Sequence, residues 1–386
     1  MGRSMEILAS IGNALLMAFA MFWEILWALI LGFLLSAIVQ AVVSKSEMKR
    51  LLPDDSPKTL TIAALFGAAS SSCSYAAVAL ARAIFRKGAN FAAAMVFQLA
   101  STNLVIELGI LMIVLMGWQF AAAEFLGAPV MIAILVLLFR SFLTPEMVEE
   151  ARGQAGKGIP GSMEGHAEMD MAVTDGPLIK RIRSQEGQTA ISHYFVMDWV
   201  SVWKDIAGGL VLAGALAVLV PRDFWKAFFL ASHPGVARFW GPIVGPLLAI
   251  ASFVCSVGNV PLAAVLWNGG ISFGGVIAFI FADLITLPIL DIYRKYYGWK
   301  VTWFIIATFY TAMFGAAIVI EFAFQAAGWI PQHRNAQIVQ AAVSLNYTTI
   351  LNVIFLVLAF LVLIRFFRTG GPEMLIKMKH PRHSHE

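Results

Sequence analysis

An all-α polytopic membrane protein, built from two related halves with broken transmembrane helices, is the fold this sequence predicts. Three observations carry the prediction. The 386 residues are 60% hydrophobic and only 13% charged, with mean hydropathy +0.79, whereas soluble domains are about half apolar and a quarter charged. The apolar runs are long and continuous, without strand-like alternation, so they read as helices whose backbone groups pair internally in lipid. An offset of 182 superimposes residues 73–100 on 255–282 without a gap, with nine of those 28 positions identical. Cys73/Cys255, Ser74/Ser256, Gly88/Gly270 and Phe91/Phe273 are among the matches.

Taken in order, the first helix runs over Gly12–Val43, with Glu24 inside it. The apolar stretch Ile11–Val43 is too long for the core of a cleavable signal. After a basic loop, Thr59–Phe85 would reach ~40 Å as one helix, against a ~30 Å hydrocarbon core. Ser70-Ser71-Ser72-Cys73-Ser74 interrupts it, and serines favour caps and turns over helix interiors. A broken helix is therefore expected. Ala89–Met116 follows, interrupted at Ser101-Thr102-Asn103, with Asn103 suited to capping a helix. A helix over Ala121–Phe142 completes the first half, 1–143.

Residues 144–192 are polar and read as a flexible linker. The second half, 193–368, begins with an interfacial stretch and a helix over Ile206–Val220. Arg222–His233 looks amphipathic and suits the membrane surface. Pro242–Trp267 is the counterpart of the first broken helix, with Ser256, Gly258, Asn259 and Pro261 as breakers. Ser272–Tyr293, Val301–Ala327 and Ala341–Phe367 complete the half, and 369–386 is a basic tail. About nine crossings are expected, or eight to ten if a broken helix is re-entrant. Basic clusters fall on both sides of such a count, so orientation stays open.

The charge balance of +4 comes from loops and tail, which suits phosphate headgroups better than nucleic acid. Two cysteines make no disulfide framework. No P-loop is present to bind ATP. His380, His383 and His385 read as a solvated tail, so neither metal nor cofactor is expected.

Broken helices in duplicated segments are the best sequence pointer to a transporter's binding site, because unwound backbone at membrane depth must line a cavity. Small residues also permit close helix packing, so each break has a bland reading. Thiolates suit soft partners such as trivalent arsenic, and a singly substituted organoarsenical has two positions for two thiols. The bland alternative is a cysteine acting as a small apolar residue. Cys73, Cys255, Ser72, Ser74, Ser256, Asn103, Asn259 and Gln98 are the candidate substrate-binding residues.

Ionisable residues inside a membrane are costly and are functional candidates by default. Glu24, Glu107, Asp283, Asp291 and Glu321 qualify, and Asp283 and Glu107 are the expected proton relay. A structural hydrogen bond or ion pair is the alternative, with Arg82 a conceivable partner for Asp283. Glu124, Asp291 and Glu321 read as nearer the interface.

At Ser71-Ser72-Cys73-Ser74, Arg86-Lys87-Gly88, Ala100-Ser101-Thr102-Asn103, Cys255-Ser256-Val257-Gly258-Asn259-Val260-Pro261-Leu262-Ala263 and Phe281-Ala282-Asp283-Leu284, the chain resembles the ArsP-type permeases. That family of predicted membrane permeases includes exporters of trivalent organoarsenicals. Its members often carry Cys-Ser-Cys in the first motif; Ser71 stands at the first of those cysteines here, and Ala79 stands opposite Pro261. The resemblance implies an inner-membrane permease, not an enzyme, that exports a small organoarsenical by alternating access with proton coupling. Its partners would be that substrate and the bilayer, with a homodimer open. A permease for another thiophilic or small organic solute is one alternative. An intramembrane thiol–disulfide protein is another, although Cys-x-x-Cys is absent.

Overall fold

The computed structural model describes residues 2–42, 52–70, 74–86, 88–155, 171–173, 177–219, 221–252, 256–334, 336 and 347–379. The described residues form helices, including one 3-10 turn, and no strand. Five helices among them are long and apolar enough to cross a membrane: Phe91–Leu115, Trp118–Phe142, Pro234–Ala251, Leu287–Ala326 and Thr349–Arg368. Shorter apolar helices include Ile11–Ala20, Leu29–Val42, Ile206–Leu216 and Phe273–Ile285. The chain is a multi-pass helical membrane protein.

The first helices are α1 (Gly2–Val42), α2 (Pro57–Ser70), α3 (Ser74–Arg86), α4 (Phe91–Asn103), α5 (Ile106–Leu115), α6 (Trp118–Phe142) and α7 (Pro145–Ala155). Within the apolar segment 59–85 the described helices are α2 and α3, and residues 71–73 lie outside the described residues. α3 ends where Gly88 takes φ +107°, a conformation other residues rarely adopt. Asn90 then caps α4, its side-chain oxygen accepting from the amides of Ala92 (2.8 Å) and Ala93 (3.3 Å). α2 folds back along α4 with Gly67 at the contact. A Cβ there would collide with the Phe97 carbonyl and with Ala100.

The remaining helices are α8 (Leu178–Arg183), α9 (Gln185–Leu219), α10 (Arg222–Phe228), α11 (Pro234–Ser252), α12 (Ser256–Gly269) and α13 (Phe273–Phe281). A 3-10 turn follows at Ala282–Ile285, then α14 (Leu287–Ala326), α15 (Tyr347–Arg368) and α16 (Gly371–Lys379). Within the second apolar segment the described helices are α11 and α12, and residues 253–255 lie outside the described residues. Gly270 ends α12 with φ +113°, and the Ser272 hydroxyl caps α13 by accepting from the Gly275 amide at 3.1 Å. α11 packs on α13 through Gly241 and Gly245.

Residues 182 apart make the same contacts at these corners. The Gly88 amide donates to the Phe85 carbonyl (3.0 Å), and the Gly270 amide to that of Trp267 (3.1 Å). Arg152 donates to the carbonyls of Phe85 (2.7 Å) and Ala89 (3.2 Å), with its guanidinium 4.3 Å from the Phe85 ring centroid. Arg334 donates to the carbonyls of Trp267 (2.8 Å) and Ile271 (2.6 Å), with its guanidinium 4.2 Å from a Trp267 ring centroid. Each arginine closes a corner that would otherwise leave carbonyls unpaired.

α1, α9 and α15 pack together beside these elements. Gln40 of α1 donates to Asp198 of α9 at 2.9 Å. Asn352 of α15 inserts its amide between the Trp23 carbonyl (2.7 Å) and the Trp27 amide (2.9 Å) of α1. Those two groups would pair with each other in an uninterrupted helix.

Local readings change at several points. The expected linker, 144–192, contains α7 and α8, and α9 starts within it. α7 is held because Arg152 and the Ala155 carbonyl reach α3 and its corner. Asn103 does not start a helix but ends one, its side chain donating back to the Leu99 carbonyl at 3.2 Å. Ser256, Gly258, Asn259 and Pro261, expected as breakers, lie within α12. α14 is two helices joined at Gly298, where φ is +81°.

Candidate functional site

Ser74 and Ser256 are the first described residues of α3 and α12. Their hydroxyl oxygens lie 3.2 Å apart, although the residues are 182 positions apart in the chain. Both hydroxyls donate to the same carboxylate oxygen, Oδ2 of Asp283, at 2.7 Å each. Asp283 is fully buried in the 3-10 turn that ends α13. Short bonds from hydroxyls to an ionised carboxylate are strong, and burial makes them stronger. Three elements therefore converge on one acidic side chain.

α4 supplies the next wall. Gln98, Ser101, Thr102 and Asn103 are all fully buried. Thr102 also interacts with the Asp283 carboxylate, and Asn103 donates to the Thr102 hydroxyl at 3.1 Å. Gln98 donates to the Tyr293 hydroxyl of α14, and Tyr293 lies within electrostatic reach of Asp283. Among the described residues, Oε1 of Gln98 and Oδ1 of Asn103 have no hydrogen-bond partner. Asn259 is fully buried in the first turn of α12. The set is rich in acceptors, so it can take a cation or a ligand that carries donors.

The expected site residues thus separate into groups. Ser74, Ser256 and Asp283 meet directly. Gln98 and Asn103 adjoin them along α4, and Asn259 stands one turn beyond Ser256. Glu107 is buried in the first turn of α5, after the α4–α5 interruption. Ser72, Cys73 and Cys255 lie outside the described residues, as does the side chain of Glu24. Arg82 donates to the Ala155 carbonyl (3.1 Å) and stands 4.4 Å from the Tyr296 ring centroid. Asp291 pairs with Arg294 (2.6 Å) and Lys295 (2.7 Å) while about half exposed. Glu321 accepts from the Gly274 amide in the first turn of α13.

Residues 10–322 match the ArsP_1 family, whose description is predicted permease. The chain belongs to that family. Over 373 residues the permease is 58% identical to "Putative permease Rv2963" of Mycobacterium tuberculosis, covering 96% of this chain and 92% of that protein. It is 28% identical over 107 residues to "UPF0718 protein YraQ" of Escherichia coli, covering 28% of this chain and 30% of that protein. No solved structure matches the chain. Membership makes the chain a membrane transporter, and the buried polar junction lies within the matched span.

The structure changes the reading of one acid. Glu124 of α6, which reads as nearer an interface in the sequence, is fully buried. Phe120, one turn before it, packs on Phe273 of α13, which is distant in sequence. Arg152 and Arg334 also went unremarked, although they are separated by the same 182 positions. Extending that offset past residue 100 would have found them.

Proposed function

We propose that this permease exports small organoarsenicals and that the trivalent, thiophilic forms are its substrates. The observation that carries the reading is the junction at which Ser74, Ser256 and Asp283 meet. Cys73 and Cys255 immediately precede those two serines in the chain. Consecutive Cα atoms are ~3.8 Å apart, so each cysteine is a chain neighbour of a serine at the junction. Two thiols would bind a trivalent arsenic centre that has two exchangeable positions, with serine and amide groups beside it. Pentavalent arsenicals, whose oxygens already occupy those positions, would bind poorly.

Two related halves would form the cavity. The corner contacts shared by Arg152 and Arg334, and the matching caps at Asn90 and Ser272, support that relation. Alternating access would then move the halves about the junction. Asp283 would carry the coupling proton, because a charge at that depth is costly unless it is neutralised or bonded. Glu107 is the second relay candidate.

The test is uptake of a trivalent methylarsenical into everted membrane vesicles. Cys73→Ser and Cys255→Ser should each reduce uptake, and the double variant should abolish it. Undiminished uptake by the double variant would remove the thiols from the reaction. Uptake of unrelated amphiphiles in preference to arsenicals would favour a different solute.

A further inference from the structure

Where the end of α15 meets the first turns of α9, the two helices enclose a hollow of about 530 Å³. Hollows of that size are usual for small-molecule sites. Its polar wall is made by Arg365 and Arg368 of α15, Thr369 just beyond them, and Gln185 and Gln188 of α9. Its apolar wall is made by Ile191, Leu361, Val362 and Ile364. The hollow is therefore amphipathic, cationic at one end and greasy at the other.

The cations carry unbalanced charge. α15 crosses the membrane and ends at Arg368, and arginines at helix ends reach for the headgroup layer. Arg365 is partly buried and donates to the Gln188 side chain (2.9 Å), the Gln185 carbonyl (2.8 Å) and the Thr189 hydroxyl (3.3 Å). All three acceptors are neutral. Its Nε is buried and has no hydrogen-bond partner among the described residues. Neither Arg365 nor Arg368 pairs with a carboxylate among the described residues, Glu186 of α9 and Glu373 of α16 included.

The wall that bears the cations is fixed. The Thr369 hydroxyl donates to the Arg365 carbonyl at 2.9 Å. His193 Nε2 of α9 lies 2.9 Å from that hydroxyl, and its ring meets Phe366 edge-on with centroids 5.4 Å apart. Deeper along α15, Val353, Val357 and Leu361 recur every four residues and are 55%, 56% and 57% exposed. That spacing puts them on one face in line with Arg365. From Val353 to Leu361 the apolar track is ~12 Å long at ~1.5 Å per residue.

We propose that this hollow binds an anionic phospholipid, its phosphate on Arg365 and Arg368 and one acyl chain along Val353, Val357 and Leu361. Guanidinium forks match pairs of phosphate oxygens, and basic pockets beside membrane helices suit anionic headgroups. A soluble phosphate would leave the apolar track bare. A zwitterionic lipid would bring its own cation to the two arginines. The bound lipid neutralises the end of α15 and bridges it to α9. None of these residues belongs to the junction of Ser74, Ser256 and Asp283.

Native mass spectrometry of the purified full chain, titrated with phosphatidylglycerol or with phosphatidylcholine of the same acyl chains, tests the proposal. The wild type should hold phosphatidylglycerol about tenfold more tightly than phosphatidylcholine. Arg368→Gln should weaken phosphatidylglycerol about tenfold, the effect of one charge-assisted bond, and leave phosphatidylcholine unchanged. Equal affinity of the wild type for the two lipids, or unchanged phosphatidylglycerol affinity in Arg368→Gln, would overturn the proposal. Displacement of the lipid by inorganic phosphate would also overturn it, in favour of a soluble anion. Arg365 also holds α9, so its removal can cost the fold; a second measurement therefore uses the wild-type chain. In phosphatidylcholine vesicles, phosphatidylglycerol with a photoreactive acyl chain should label the α15 peptide, and unlabelled phosphatidylglycerol should suppress that label. Label spread over the lipid-facing helices without suppression contradicts the proposal.

Discussion

At the scale of single residues, the account depends on hydroxyls that serve one carboxylate. Ser74→Ala and Ser256→Ala each remove a 2.7 Å bond to buried Asp283. Each should cost about 1.5–3 kcal/mol, the range for bonds to charged groups. The double variant should depart from the sum, because both hydroxyls bond one oxygen and touch each other. Thermal unfolding of the four proteins in detergent measures this; exact additivity would mean that the bonds act independently. Gly67 makes a second residue-scale test. Gly67→Leu should destabilise by about 1–3 kcal/mol, as overpacking does, because α4 backbone and Ala100 occupy the space.

The elements are corners and interruptions, and their legibility in the sequence was uneven. A break at the first serine cluster is expected from length and composition, since one helix over 59–85 overreaches the bilayer and serines compete for the backbone, and residues 71–73 lie outside the described residues. The glycine corners were visible as matched positions, Gly88 and Gly270, in the 182-residue offset. In the second segment Ser256, Gly258, Asn259 and Pro261 read as breakers, but they lie within α12, because local hydrogen bonds and not composition alone decide where a helix runs. The 3-10 turn at Ala282–Ile285 had no such marker; its sequence is as apolar as the helix before it, apart from Asp283. Glu124 reads differently in the sequence because the helices packed on α6 come from distant parts of the chain: Phe120 meets Phe273 of α13, and Gly127 faces Phe281 of α13 and Ile320 of α14.

Two element-scale predictions follow from this geometry. Asn90→Ala and Ser272→Ala remove matching caps, and each should cost about 1 kcal/mol; unequal loss of more than that would mark one corner as more important. In a background of Cys73→Ser and Cys255→Ser, the pair Ser74→Cys and Ser256→Cys should crosslink under mild oxidation, because the parent hydroxyls are 3.2 Å apart. Mobility on a non-reducing gel after cleavage between the halves reads the bond; no crosslink would mean that α3 and α12 do not meet there.

For the whole molecule, composition alone was enough to read a helical membrane protein, and the family match makes it a permease. The burial of Asp283 between two helices that begin 182 residues apart is a long-range fact, and no local pattern in the sequence states it. The proposed cycle needs that acid to gain and lose a proton as access alternates. The most direct measurement is uptake of a trivalent methylarsenical into everted vesicles under an imposed pH gradient, comparing the wild type with Asp283→Asn. The account predicts that the gradient accelerates uptake in the wild type and has no effect in Asp283→Asn. Equal acceleration in both would contradict it.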